Sequence, residues 1–176
     1  MKKIILLLLV MVFAFSAAAA DGQVIQISED QDGFDLFLTL PENASVVSME
    51  TDEYHVILSV AIEGKENLAI KIVSAPDELY ADRSLADLSD EEIASIVLWY
   101  TEEMILPGTE AYVSEDGHDY IVLNENYGGN DSCETITLIL GYHIMISVTN
   151  EDYSVLSEED MGIGGAIMET LQVVNK

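Results

Sequence analysis

Apolar residues recur at every second position through much of the chain, which is the pattern of half-buried β-strands. The clearest run, Phe34–Leu40, stops at Pro41, a residue that cannot donate to a strand ladder. Thr135–Leu140 and Tyr142–Thr149 flank Gly141 and predict a β-hairpin. Further strands are predicted at residues 23–28, 54–61, 68–73 and 119–124. The chain therefore predicts a fold built mainly of antiparallel strands.

Some of these strands carry apolar residues on both faces, so the sheet needs a cover on each side. Ile57, Ile139 and Met145 lie opposite the main apolar stripe of their strands. Two segments with helical periodicity can supply the covers. The pattern predicts a single α+β domain, an antiparallel sheet flanked by helices on both faces (an α/β/α sandwich).

The first predicted helix has a clear start, because Ser89 and Glu92 form a capping box. It is expected to end before Pro107. The second predicted helix starts at Ser157 and continues through Val174.

Three glycines, at positions 162, 164 and 165, fall in the first half of the second helix, where each costs about 1 kcal/mol relative to Ala. Either this helix starts late, near Gly165, or the glycines let its backbone approach the sheet closely. We favour the close approach.

Residues 1–20 have the composition of a bacterial signal peptide. Lys2 and Lys3 precede an apolar run of 12 residues, Ile4–Phe15, and Ala18 and Ala20 provide a small-residue cleavage site. The run is short for a membrane span, which needs about 20 residues. We expect cleavage before Asp21, a mature domain of residues 21–176 without a membrane span, and a secreted, extracellular location. An uncleaved N-terminal anchor is the alternative.

The charge balance excludes several classes of protein. The chain has 33 acidic and 6 basic residues, a net charge of -27. A nucleic-acid-binding protein needs a basic face, and an anionic membrane surface would repel this chain. The one cysteine, Cys133, excludes a disulfide scaffold within the chain. We expect a buried or idle thiol in a monomer, with pairing between chains as the alternative.

Two sets of side chains are candidate metal ligands. If strand 119–126 pairs antiparallel with 134–141, His118 and Asp116 lie at the Gly141 end of the hairpin, as His143 does, and imidazole with carboxylate suits Zn²⁺. The alternative is a solvated turn at 114–118 and an outward-facing His143.

The second set, Asp30, Asp32 and Asp35, surrounds Gly33 and could offer oxygen ligands to Ca²⁺. An EF-hand is excluded, because Pro41 occupies the position of its final glutamate. The alternative is a solvated acidic turn. No other cofactor is indicated.

Aromatic residues cluster on the first helix and just before it. Trp99 and Tyr100, with Tyr80, would either line a ligand pocket or pack in the core, and we favour core packing.

The order of elements resembles that of the PsbP-like family, which includes the extrinsic photosystem II protein, a Ran-binding nuclear transport protein and secreted bacterial proteins of unknown role. The resemblance rests on Gly33–Leu36 with Leu40–Pro41, the glycine-rich turn Tyr127–Gly129, the run Glu134–Leu138 and the closing segment Met168–Val174. It covers residues 30–175 and implies an antiparallel sheet with helices packed on both faces. It implies no catalytic motif.

The sequence contains no nucleophile elbow, no zinc-protease motif and no phosphate-binding loop. We therefore expect a secreted bacterial, non-enzymatic binding or accessory domain with an unidentified protein or cell-envelope partner. The alternative is a secreted metal-dependent (Zn or Ca) enzyme or metal-binding protein that uses carboxylates with His118 and His143.

Overall fold

The computed structural model describes residues 22–28, 33–51, 55–100, 110–113, 120–127, 130–152 and 154–176. These residues form two antiparallel sheets and two α-helices in one domain. The helices are α1 (Asp90–Leu98) and α2 (Glu158–Met168). The strands are β1 (Val24–Gln26), β2 (Phe34–Thr39), β3 (Ala44–Thr51), β4 (Val56–Ile62), β5 (Leu68–Pro76), β6 (Glu110–Val113), β7 (Ile121–Tyr127), β8 (Asn130–Ile139), β9 (Tyr142–Asn150) and β10 (Gln172–Asn175).

The larger sheet has seven strands in the order β3-β4-β5-β9-β8-β7-β6, and the smaller sheet has the order β1-β2-β10. The hairpin predicted around Gly141 is confirmed, with Ile139 opposite Tyr142 at its tip. Leu140 and Gly141 both have positive φ, 49° and 78°, which matches the twist of the flanking strands in a two-residue turn. A Cβ at Gly141 would also lie 2.9 Å from the Asp82 backbone nitrogen, so the tip requires glycine for its contact with that segment.

The apolar side chains form two clusters, because alternate residues of a strand point to opposite faces. On β9, Ile144, Ile146 and Val148 belong to the larger cluster, which also takes in the smaller sheet and α2. Met145, between them, packs against the smaller cluster. The smaller cluster consists of Leu85, Tyr100, Ile121, Leu123, Ile136 and Leu138. Side chains of α1, among them Ile93, Ile96 and Val97, pack against it.

Helix α2 lies close against β8, and a glycine makes this possible. Its N-cap is Ser157, as predicted, and the Ser157 side chain accepts a hydrogen bond from the Asp160 backbone N–H. A Cβ at Gly164 would lie 2.6 Å from Thr135 Oγ1, whereas a Cβ at Gly162 would meet nothing within 4 Å. The prediction that glycine allows close approach is therefore confirmed for Gly164.

The structure corrects the end of the second helix. It ends at Met168, and Gln172–Asn175 pairs with β2 as strand β10. The apolar spacing of Leu171 and Val174 fits helical periodicity, but the last turn leads instead into the edge of the smaller sheet. Strands β3 and β6 are further additions to the predicted set.

The prediction of an antiparallel sheet in a single α+β domain is confirmed. The α/β/α sandwich is incomplete as a description, because it omits the three-stranded sheet that shares a core with α2. Among the described residues, no helix has the length and apolar character needed to cross a membrane.

Three basic residues form ion pairs that link separate segments of the chain. Lys65 Nζ lies 2.6 Å from Asp160 Oδ1 and 2.9 Å from Glu159 Oε1, in the first turn of α2. Arg83 Nη1 lies 2.7 Å from Glu92 Oε1 on α1. Lys176 follows β10, and its Nζ lies 3.0 Å from Oδ1 of Asp35 on the neighbouring strand β2. In so acidic a chain these pairs position both helices and one sheet edge.

Candidate functional site

A cavity of about 380 Å³ lies between α1 and the larger sheet. Its walls are formed by the segment between β5 and α1, by one face of α1, and by β7, β8 and β9. The residues that line it are Asp77, Leu79, Tyr80, Leu85, Ser95, Ile96, Trp99, Tyr100, Ile121, Ile136, Thr137, Leu138 and His143. Most of these side chains are apolar or aromatic, which is typical of a small-molecule site.

The polar centre of the cavity is a contact between Tyr100 and His143. Tyr100 Oη lies 2.9 Å from His143 Nε2 and 3.2 Å from Nδ1. Burial lowers the pKa of His143, and the nearby Asp77 carboxylate opposes this shift. Burial also raises the pKa of Tyr100 well above its usual value, with a smaller contribution from Asp77. Both groups are therefore neutral at pH 7, and His143 can accept the hydrogen bond that the Tyr100 hydroxyl donates.

Trp99 and Tyr100 occupy different positions in this cavity. Tyr100 is 5% exposed and belongs to the smaller cluster, so its predicted role in core packing is confirmed. Trp99 is 53% exposed, and its ring meets that of Tyr100 edge to face, with the centroids 4.8 Å apart. Tyr80 lines the same cavity. The pocket and core interpretations both apply: all three aromatic residues line the cavity, and Tyr100 is also part of the smaller cluster.

Asp77 is the charged residue of the cavity. Its side chain caps the short 3₁₀ turn Glu78–Tyr80, with Oδ1 accepting a hydrogen bond of 2.9 Å from the Leu79 backbone N–H. Its own backbone N–H donates to the Gly141 carbonyl at 2.7 Å. The β8–β9 hairpin tip therefore fixes the position of Asp77 next to His143.

The Arg83–Glu92 pair orients α1, which forms one wall of the cavity. Glu92 accepts hydrogen bonds from both terminal nitrogens of Arg83, at 2.7 and 3.0 Å. It also completes the capping box, since Oε2 accepts from the Ser89 backbone N–H. These partners, Arg83 above all, lower the pKa of Glu92 from 4.5 to about 2.

Stability should therefore depend on the ionisation of Glu92. A carboxyl whose pKa is depressed in the folded state stabilises the protein above its unfolded pKa, and the contribution is lost as pH falls through the folded value. For Glu92 this window runs from about pH 4.5 down to about pH 2. We expect Glu92→Gln to lower the thermal midpoint at pH 7, and the difference from wild type to disappear near pH 2.

Glu91→Gln is the matched control for this measurement, because Glu91 is exposed in the same first turn and lacks the Arg83 contact. It should change the midpoint little at either pH. Equal effects of the two substitutions at pH 7 would contradict the assigned role of Arg83.

The zinc hypothesis rested on His118, His143 and Asp116. The strand order it required is present, because β7 and β9 both pair with β8. His118 and Asp116 lie outside the described residues, and the ring of His143 faces Tyr100. In the described ranges no group of three or more His, Cys, Asp and Glu side chains is arranged to hold a metal ion. The zinc site stays a prediction.

The calcium hypothesis is in a similar position. Asp30 and Asp32 lie outside the described residues. The Asp35 carboxylate accepts a hydrogen bond from Gln26 Nε2 at 3.0 Å and pairs with Lys176. A bound calcium ion would have to share this carboxylate with both groups, and the site stays a prediction.

Cys133 is 1% exposed, and burial raises the pKa of its thiol to about 11. Its Sγ lies 3.4 Å from the Met161 carbonyl oxygen under α2. The expected buried thiol is confirmed. A protonated, covered thiol is a poor nucleophile, which argues against pairing between folded chains.

Sequence reasoning missed Asp77, Thr137 and Leu85 as cavity residues. Asp77 follows Pro76 at the end of a strand, which is an ordinary place for a turn or a cap. Only the contact of this segment with the hairpin tip places it beside His143. The aromatic residues Tyr80, Trp99 and Tyr100 were the signal that the sequence offered for the cavity, and no local pattern points to these three further residues.

No protein-family model matches the chain, and no curated protein matches it either. The solved structures similar to it include the solution structure of cyanobacterial PsbP from Synechocystis, with 10% identity and a TM-score of 0.49, covering 93% of this chain and 99% of that one. A crystal structure of a protein from Bacteroides thetaiotaomicron has 12% identity and a TM-score of 0.42, and covers 79% of this chain. The chain spans 45% of the length of that second protein.

Both TM-scores lie below 0.5, so these similarities assign neither a residue role nor an activity to this chain.

Proposed function

We propose that the protein is an exported, non-enzymatic bacterial binding domain that holds a small, mainly apolar ligand in the cavity beside α1. The observation that carries this proposal is the cavity itself, about 380 Å³ of space walled by aromatic and aliphatic side chains around one polar pair. Such a site buries the apolar body of a ligand and orients it by a few hydrogen bonds. Tyr100 and His143 are the side chains available for that orientation.

Export is supported by residues 1–20, with their two lysines, apolar run and small-residue cleavage site. A protein on this route meets cell-envelope components, which are then the source of the ligand. A binding role without catalysis is supported by the state of the polar groups. His143 is engaged by Tyr100, and the Ser95 hydroxyl, which lines the same cavity, donates its hydrogen bond to the Glu91 backbone carbonyl at 2.8 Å instead of to His143.

The test uses N-phenyl-1-naphthylamine, a neutral dye whose emission increases in an apolar environment. We expect saturable dye binding, accompanied by a change in the emission of Trp99, which is the single tryptophan of the chain and lines the cavity. Ser95→Phe should abolish this binding, because position 95 lines the cavity from the exposed side of α1 and the larger side chain would fill it.

Ala94→Phe is the matched control, since residue 94 is exposed on the same helix and lies outside the lining of the cavity. This variant should bind the dye as the wild type does. Absence of saturable binding to the wild-type protein, or equal loss in both variants, would overturn the proposed function.

A further inference from the structure

The cavity contains one carboxylate and, among the described residues that line it, no lysine or arginine. Asp77 Oδ1 accepts the Leu79 backbone N–H, and no described residue donates a hydrogen bond to Oδ2. Tyr100 and His143 are neutral, so they do not balance this charge. A ligand that enters the cavity therefore meets one uncompensated negative charge in a largely apolar setting, where a cation gains more from it than in water.

The aromatic walls add a second preference for positive charge. Tyr80, Trp99 and Tyr100 line the same space as Asp77. The faces of aromatic rings attract ammonium groups, and tryptophan does so most strongly. Trp99 is half exposed, so its ring is accessible to a cation that approaches the cavity.

The charge of the whole chain acts in the same direction. With a net charge of -27, the protein attracts cations and repels anions over distances of about one Debye length. The volume of about 380 Å³ is near the lower end of the range for small-molecule pockets and suits a ligand of one ring with a short chain.

From these observations we infer that the cavity selects small organic amines, with the ammonium group at Asp77 and the apolar body between α1 and the sheet. This inference rests on the proposed function and adds the chemical class of the ligand. A neutral or anionic ligand of the same shape would leave Asp77 without a cationic partner.

The experiment compares three compounds that share one carbon frame and differ in charge at pH 7. These are 2-phenylethylamine, 2-phenylethanol and phenylacetate, each titrated as a competitor against bound N-phenyl-1-naphthylamine. We expect the competition Kd of the amine to be roughly tenfold lower than that of the alcohol, because one ion pair in a partly buried site contributes a free energy of this size. Phenylacetate should have the highest Kd of the three. Added NaCl should reduce the advantage of the amine.

Two variants locate the effect. Asp77→Asn keeps an oxygen that can accept the Leu79 N–H and removes the charge, so the amine should lose its advantage over the alcohol while dye binding is retained. Glu78→Gln removes the neighbouring exposed charge, which does not line the cavity, and should leave the advantage intact.

The outcomes separate the two proposals. If the dye binds and the amine does no better than the alcohol, or displaces nothing, the amine inference is overturned and the binding function stands. If Asp77→Asn and Glu78→Gln reduce amine binding equally, the preference for the amine comes from the overall negative charge of the protein, and Asp77 is not the binding site of the ammonium group. If the wild-type protein binds neither dye nor amine, the proposed function fails.

Discussion

Replacing Ile144 or Leu138 by Asp is expected to abolish cooperative folding. Ile144 is 0% exposed in the larger cluster, and Leu138 is 2% exposed in the smaller one. Burying an unpaired carboxylate costs several kcal/mol, against a total stability of about 5–15 kcal/mol for an ordinary domain. Circular dichroism during thermal and urea unfolding would show a broad or absent transition for either variant.

Val47→Asp is the control for both substitutions, because Val47 lies on β3 of the same sheet and is 68% exposed. It should change the free energy of unfolding by no more than about 0.5 kcal/mol. A wild-type midpoint for Ile144→Asp or Leu138→Asp would show that the corresponding face of the sheet is not buried as described. Since the two residues belong to different clusters, the variants test the two cores independently.

Alanine substitutions at two glycines of α2 are expected to have opposite signs. At Gly162 the added methyl group meets open space, so the gain in helix propensity should stabilise the protein by about 0.5–1 kcal/mol. At Gly164 the methyl group would lie 2.6 Å from Thr135 Oγ1, on a fully buried strand position. We expect Gly164→Ala to destabilise the protein by about 1–3 kcal/mol, measured by urea unfolding.

The double variant Gly164→Ala, Thr135→Ala assigns this cost to one contact. Removal of the Thr135 hydroxyl leaves the nearest strand atom, Thr135 Cβ, at 3.4 Å from the new methyl group. The double variant should therefore lose less stability than the sum of the single ones. Additive effects, or a stabilising Gly164→Ala, would mean that α2 does not lie as close to β8 as described.

The predictable parts of the fold are those whose signal is local. Ser89 with Glu92 marks the start of α1, Ser157 marks the start of α2, and Gly141 marks the turn of the β8–β9 hairpin. The two serines satisfy backbone N–H groups that would otherwise lack partners at the helix starts, and Gly141 adopts the positive φ that the turn requires.

The missed elements have weak local signals. Strand β3 is an edge strand with mostly exposed residues, so it lacks the alternation that a half-buried strand shows. Strand β10 is exposed throughout, and the spacing of Leu171 and Val174 also fits a helix. Its pairing with β2 joins residues more than 130 positions apart, and only the assembled fold decides between the two conformations.

The cavity depends on contacts of the same long-range kind. The segment before α1 is placed by backbone hydrogen bonds from Asp77 N–H to Gly141 and from Gly141 N–H to Arg83. Backbone groups are the same for every residue type, so such contacts leave almost no trace in the sequence. Trp99 and Tyr100, directly after the end of α1, could be recognised as candidates, but not the position of Asp77 in the same cavity.

The ion pairs of the few basic residues have a consequence for resistance to digestion. Trypsin-like proteases cut after lysine or arginine and need several residues of extended, accessible chain around the cut. Lys65 and Arg83 are engaged with acidic partners at the starts of α2 and α1, and Lys71 lies within β5, hydrogen-bonded between β4 and β9. While the domain stays folded, these three positions offer such an enzyme little to cleave, so the same scarcity of positive charge that makes the protein acidic also lengthens its survival among proteases of this specificity.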